Sequence, residues 1–282
     1  MPAHLSANSY GKSEIRLTKV IRNGAHHELI EFSINIDLTG DFAASYICGD
    51  NSKIIATDSM KNTVYVLAKE REFKSPEEFA LIVASHFLQT YPQVATSTAT
   101  IGQTAWSRIS VDHKPHDHAF VSGGSELHTA VATDSREHGL ELIGGLTNLL
   151  ILKTTNSAFK AFVSDRYRTL KDADDRIFAT SVTATWDFAE LNADFASVYD
   201  RVRKSMLDVF ATHMSYAVQE TMYEMGKAAL AIASEIRRIS FRLPNKHRIP
   251  VNLDPFGLKN QNEIFIWTDE PYGDISATVE RD

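Results

Sequence analysis

One succession of elements, performed twice, constrains this chain more than any other feature: alternating apolar segments, then two amphipathic helices, then alternation again. In the first half, Glu14-Ile15-Arg16-Leu17-Thr18-Lys19-Val20 alternates polar and apolar residues. Phe32-Ser33-Ile34-Asn35-Ile36-Asp37-Leu38 does the same beyond the turn pair Asn23-Gly24. Period two places the apolar side chains on one strand face, so the pair predicts a hairpin, here with a connection longer than two residues. Ile54-Ile55-Ala56 leads into Thr57-Asp58-Ser59, which has N-cap chemistry, followed by Met60, Val64, Leu67 and Ala68 at helical spacing. Ser75-Pro76-Glu77-Glu78 reads as a capping box with proline at the first helical position. Phe79, Ile82, Val83 and Phe87 form that helix's buried stripe, Pro92 closes it, and further strands fill 94–134.

The second half repeats the order without residue-level identity. Gly144-Gly145 reads as a turn before an opening strand, and Val182-Thr183-Ala184-Thr185-Trp186-Asp187-Phe188 alternates cleanly. Asp194 caps a helix bearing Phe195, Val198, Val202, Met206 and Val209. A second helix covers roughly 214–234, and Ile239–Leu243 and Glu263–Thr268 return to strand. The pattern predicts an α+β protein of tandem domains, 10–140 and 141–282, after a polar tail over 1–9. Each domain is an antiparallel sheet with helices on one face. Regular edge strands invite pairing with another subunit, so oligomerisation is expected.

Bulk numbers narrow the function classes. The 282 residues are 43% hydrophobic and 23% charged, ordinary for a globular protein with a sizeable core. A net charge of -7 and the lack of a basic run give no basis for nucleic-acid binding. No apolar run is long enough to span a bilayer, and residues 1–9 lack the apolar core of a signal peptide. The single cysteine, Cys48, excludes an intrachain disulfide and reads as a small buried hydrophobe. These features, with a C-terminus at Arg281-Asp282 that lacks a peroxisomal tripeptide, predict a cytoplasmic protein.

Two motifs carry chemistry. Leu243-Pro244-Asn245-Lys246-His247 ends a strand with a proline, then sets an amide and an imidazole two residues apart, on one side of extended chain. Such a pair suits holding a small polar substrate and moving protons on it. His113, His116 and His118, with Asp112 and Asp117, raise the question of a metal. Their spacing fits neither a helix face nor a familiar zinc pattern, so a charged, hydrogen-bonding loop is the expectation.

Over residues 10–279 the chain resembles the urate oxidases (uricases). The segments that carry this include Tyr10-Gly11-Lys12, Gly49-Asp50-Asn51, Ala56–Tyr65, Lys153-Thr154-Thr155-Asn156-Ser157-Ala158-Phe159 and Asp175-Arg176-Ile177. Downstream, Gln219-Glu220-Thr221-Met222-Tyr223, Leu243–His247, Pro255-Phe256-Gly257 and Pro271-Tyr272-Gly273 continue the match. The resemblance implies two tandem tunnelling-fold (T-fold) domains, a homotetramer enclosing a barrel-like tunnel, and active sites at subunit interfaces. It further implies oxidation of urate by dioxygen and water to 5-hydroxyisourate and hydrogen peroxide, with no metal, flavin or other cofactor.

By the same resemblance, Phe159 stacks on the purine, Arg176 and Gln219 grip its edge, and the Val218 backbone and Ile275 complete the rim. An arginine offers a planar fork of donors and a glutamine both a donor and an acceptor, which together read an ordered edge. Lys12, Thr57 and His247 match the proton relay, and Asn245 with Thr57 matches the holder of dioxygen or water over the ring. The main-chain N–H groups of Thr57 and Asp58 match an anion-stabilising helix start, contributed by a neighbouring subunit. A lysine taken out of water can act as a base with threonine passing the proton.

Taken singly, each residue has an ordinary reading: Lys12 as a surface lysine before a strand, Phe159 as core, Thr57 as a helix cap. Arg176 would be an exposed ion pair with Asp174 or Asp175, and Gln219 and His247 polar surface. Their combination across separated segments favours the site. Three positions depart from the family: Ser164 and Arg168 where arginine and threonine are common, and Asp274 in place of an apolar residue beside Ile275. An inward Asp274 would weaken anion binding. Two other readings stay open: a metal-dependent tunnelling-fold enzyme of pterins or purines, and a purine-binding homologue without catalysis.

Overall fold

The computed structural model describes residues 3–282. By its internal contacts the chain divides into two units, the first running to Gly145 and including Glu190–Ala196, the second comprising Leu146–Ala189 and Ser197–Asp282. In the first, β1 (Tyr10–Asn23) and β2 (His26–Gly40) form an antiparallel hairpin in which Asn23 faces His26. The connection is therefore the two residues Gly24 and Ala25, shorter than expected, with Gly24 at φ 64° taking the left-handed conformation the tight turn needs. A short helix α1 (Ala43–Cys48), which no apolar periodicity announced, precedes α2 (Thr57–Glu70) and α3 (Pro76–Thr90). The strands β3 (Val94–Val111) and β4 (Lys114–Ser135) complete the antiparallel order β1-β2-β3-β4.

The alternation of β2 is read directly in burial. Phe32, Ile34, Ile36 and Leu38 are within 2% of full burial and share the core with Met60, Val64, Phe79, Val83 and Phe87 of the helices. Each such side chain contributes roughly 1.5–3 kcal/mol on leaving water. Ile82 is only half-buried; Ala80 and Ala84 take its place in the stripe of α3. Ser75 caps α3 by accepting from the Glu78 N–H at 3.2 Å, while the Glu78 carboxylate accepts from the Lys74 N–H at 2.6 Å.

The strand β5 (Gly139–Lys153) contains Gly144 and Gly145, so these glycines lie inside a strand and not in a turn. In the second unit β6 (Phe178–Phe188), α4 (Phe195–Thr212), α5 (Val218–Ile232) and β7 (Ile236–Pro244) follow. Phe210 is buried on α4 where Val209 was expected; Val209 is half-buried. The edge partner of β7 is β10 (Asp274–Glu280), not the segment at 263–268. That segment, β9 (Phe265–Thr268), pairs with β8 (His247–Pro250) in a separate two-stranded sheet. Gly226 lets α5 lie against this sheet: a Cβ there would stand 2.5 Å from a Val279 methyl and 3.3 Å from Phe241. Both units thus place helices on one face of an antiparallel sheet, the α+β class that the alternation predicts.

Two minor expectations change. Cys48 is exposed, its thiol donating to the Ala44 carbonyl at 3.1 Å, because α1 buries none of its residues. The 112–118 stretch is no loop: Asp112 and His113, at φ 51° and 64°, make the tight turn between β3 and β4, and His116 and His118 lie on β4.

Candidate active site

In the first unit the expected residues gather where β1 meets the start of α2. Lys12 lies inside β1, not before it, paired with Ile36 at the edge of a bulge that resumes register at Ile15. Glu14, at φ 57°, absorbs the bulge, and its N–H donates to Asn35 Oδ1 at 2.8 Å. Tyr10 ties this strand start to the chain entering α2: its hydroxyl accepts from the Ile55 N–H at 2.8 Å, and its ring packs edge-on against Phe42 at 4.8 Å. Burial raises the Tyr10 pKa, so the phenol keeps its proton. Lys12 itself is half-buried.

Thr57 is the first residue of α2, and Ala56 is the N-cap; no side chain caps this helix. The expected threonine cap is therefore absent, because a residue already at helical φ/ψ cannot bend back to the N–H groups that follow. The opening N–H groups of α2 are left without that internal acceptor. Asp58 is exposed and accepts from Lys61 Nζ at 2.6 Å and Asn62 Nδ2 at 3.0 Å. The Lys61 hydrogen bond and charge hold its carboxyl below the usual range, with Lys12 adding a smaller pull.

In the second unit, Phe159, Arg176 and the start of α5 are held by short backbone bridges. Phe159 and Ala173 exchange N–H···O bonds of 2.8 and 2.9 Å. The Ala158 N–H donates to the Ser215 carbonyl at 2.8 Å, which fastens the same segment to the approach of α5. Asp175 accepts from Thr155 Oγ1 at 2.6 Å and the Ser157 N–H at 3.1 Å; these bonds, the threonine's first, depress its pKa. Asp174 pairs with Lys160 at 2.5 Å. Neither acid takes the neighbouring arginine, and the expected exposed ion pair of Arg176 does not form.

Arg176 instead stands over the Phe159 ring, 4.9 Å from its centroid. It is half-buried, its Nε is buried with no hydrogen-bond partner, and burial lowers its pKa. Phe162 stacks on Phe159 at 4.7 Å and 13°, and the Arg168 guanidinium lies 4.1 Å from the Phe162 centroid. Val218 and Gln219 are the first two residues of α5, which, like α2, has no side-chain cap; Val218 is buried and Gln219 exposed.

Asn245 sits between two strands. Its backbone bridges Thr180, its N–H donates to the Gly273 carbonyl at 2.9 Å, and Thr180 Oγ1 donates to the Pro244 carbonyl at 2.9 Å. Asn245, Lys246, His247 and Arg248 line a cleft with Arg176, so the amide–imidazole motif and the arginine meet. Lys12 and Thr57 are not among the residues that line this cleft. Ile275 faces Leu243 across β10 and β7. Asp274 is one residue out of phase and lies on the other strand face, where Arg242 binds it at 2.9, 3.1 and 3.0 Å. An inward-pointing acid is thereby excluded.

Sequence reasoning gave no role to Thr180 or Phe162 and named Asp175 only as a possible ion-pair partner of Arg176; all three touch the candidate residues or their backbone, and proline in a strand was the one hint that something must accommodate position 244. At the histidine-rich hairpin, His26 Nδ1 and Asp117 approach to 3.1 Å, and the His116 and His118 rings to 4.5 Å. Among the described residues, no group of three or more His, Cys, Asp and Glu side chains is arranged to hold a metal.

A sequence profile of the uricase family matches residues 8–133 and 142–276. The chain is 43% identical to a uricase of Arthrobacter globiformis across 99% of its own length and 90% of that protein. It is 36% identical to a Dictyostelium discoideum uricase over 99% and 98%. The crystal structure of the Arthrobacter globiformis uricase superposes with a TM-score of 0.94 at 42% identity, covering 100% of this chain and 96% of that one. The urate oxidase structure from Bacillus sp. TB-90 shares the fold, with a TM-score of 0.87 at 20% identity over 97% and 100%.

Proposed function

The chain belongs to the uricase family, and from that premise we propose how its own residues oxidise urate. It is an oxidoreductase acting on urate and dioxygen. One observation carries the assignment of the site: a half-buried guanidinium, free of any carboxylate, poised over an aromatic ring beside an amide and an imidazole. A flat anion answers each of these features. Its face takes the place of Phe162 on the Phe159 ring, its edge takes the donors that Arg176 presents, and Gln219 with the Val218 backbone reads the rest of the rim. Ile275 closes the apolar side.

The reaction must pass two electrons from urate to triplet dioxygen, and direct pairing is spin-forbidden. Removing a further proton from the urate anion makes a dianion able to give up one electron at a time. Lys12 and Thr57 accept and carry that proton, with His247 at the other end of the relay. Dioxygen, held over the ring by Asn245 and Thr57, takes the two electrons and two protons and leaves as hydrogen peroxide. Water then supplies the hydroxyl of 5-hydroxyisourate, and the uncapped start of α2 at Thr57 and Asp58 steadies the anion.

The division of residues favours a site completed by assembly. Lys12, Thr57 and Asp58 all belong to the first unit, whereas Phe159, Arg176, Val218, Gln219, Asn245, His247 and Ile275 all belong to the second. The cleft of the second unit is lined by His247 and Asn245 but by neither Lys12 nor Thr57. We assign the missing wall to a neighbouring subunit of a homotetramer, a cytoplasmic assembly of two-domain chains. Loss of urate absorbance, followed with and without oxygen and with peroxide measured in parallel, tests the activity. Lys12→Met should abolish turnover while retaining urate binding; normal turnover in that variant would remove Lys12 from the relay.

A further inference from the structure

Asn245 and Ile275, given separate tasks above, flank one α-carbon. A Cβ built on Gly273 would stand 3.3 Å from Asn245 Nδ2 and 3.8 Å from Ile275 Cδ1. The first distance is tighter than side chains ordinarily tolerate, so the amide would have to yield by a few tenths of an ångström. The same residue fixes the Asn245 backbone, since its carbonyl accepts the Asn245 N–H at 2.9 Å. Gly273 also precedes β10, which carries Ile275 opposite Leu243. Its φ lies outside the left-handed region, so conformational freedom does not account for a glycine here. The nearest atom that a side chain here would meet is the Asn245 amide nitrogen.

We propose that Gly273 is a positioning residue for the oxidation step: its bare α-carbon forms the bed on which the Asn245 amide lies. The hydrogen bond from the Asn245 backbone sets the height of that residue, and the missing side chain sets the lateral place of its amide. The inference rests on the reading of Asn245 as the holder of dioxygen or water, and it predicts a signature that a merely structural glycine would not produce. Displacing the amide should impair the handling of oxygen more than the handling of urate, because the urate grip lies with Phe159, Arg176 and Gln219.

The test is a double-mutant cycle of Gly273→Ala and Asn245→Ala, with kcat and the KM values for urate and for oxygen measured on folded protein. Gly273→Ala should lower kcat about tenfold and raise the oxygen KM, with urate KM within about twofold. Added to Asn245→Ala, the glycine substitution should cost less than about twofold more, since the group it displaces is gone. Equal losses in both backgrounds, or normal kinetics of Gly273→Ala, overturn the proposal. If Gly273→Ala alone fails to fold, the double variant decides: folding restored by Asn245→Ala supports the contact, and failure of both places the clash elsewhere and refutes it. Unchanged kinetics of Asn245→Ala alone would instead refute the role given to Asn245, a separate failure.

Discussion

Arg176 shows how a single side chain can point to a candidate site. A buried cation ordinarily finds a carboxylate, yet the two acids next to it in sequence are engaged elsewhere, one by Lys160 and one by Thr155 and Ser157. The guanidinium rests on Phe159 with one nitrogen unsatisfied. Arg176→Lys keeps the charge but loses the fork, so urate KM should rise by one to two orders of magnitude, about 1.5–3 kcal/mol of charged hydrogen bonding, with kcat affected less. Steady-state kinetics checks this. Asp274 makes the opposite prediction. Its bidentate pairing with Arg242 is exposed and on the far strand face, so Asp274→Leu should leave urate KM within about twofold and the unfolding midpoint nearly unchanged. Of these residues the sequence disclosed Arg176 through its motif, but not its partners. Which of three consecutive charged residues faces a pocket is decided by backbone bridges between distant segments, and periodicity carries no trace of those.

At the level of elements, amphipathic period was the legible signal and strand ends were not. The apolar faces of β2, α2 and α3 appear in burial almost as the alternation and helical spacing require, because core packing enforces them. The helix start at Thr57 was misread as a cap since Thr, Asp and Ser suit capping wherever they occur in a first turn. Gly11 ties an element to function. A Cβ there would come within 1.7 Å of the Ile36 carbonyl oxygen, backbone against backbone, so Gly11→Ala must separate β1 from β2 beside Lys12. A loss of about 1–3 kcal/mol or more is expected in denaturant unfolding, with activity falling although every catalytic side chain remains. Asp175 anchors the segment leading to Phe159 and has a depressed pKa in the folded chain. Its contribution is therefore present above the unfolded carboxylate pKa of about 3.9 and is lost as pH falls through the lower folded value. Amide exchange at 155–159 should quicken in that acid window, and Asp175→Asn should show the faster exchange already at neutral pH. Slow exchange in the variant would remove Asp175 as the anchor.

For the molecule as a whole, a net charge of -7 sits beside a cleft lined by Arg176, Arg248 and Lys246, the last paired with Asp269 at 3.3 Å. An acidic protein that binds an anion must concentrate its positive groups locally, and this cleft does so. The tandem order of elements was visible in the sequence because each half has to build its own core. The division of the proposed site residues between the two halves was legible too, since Lys12, Thr57 and Asp58 precede residue 140 and the others follow it; the backbone bridges that hold Phe159 and Asn245 were not. That division is the claim on which the functional account depends: Lys12 and Thr57 of one chain act on a purine held, beside His247, by another. Mixing two inactive variants tests it directly, Lys12→Met in one chain and Arg176→Gln in the other, unfolded together and reassembled. The account predicts that turnover returns to about a quarter of the unmodified level, the share of randomly paired sites that receive both intact halves. Mixed assemblies that remain as inactive as either variant alone would contradict it.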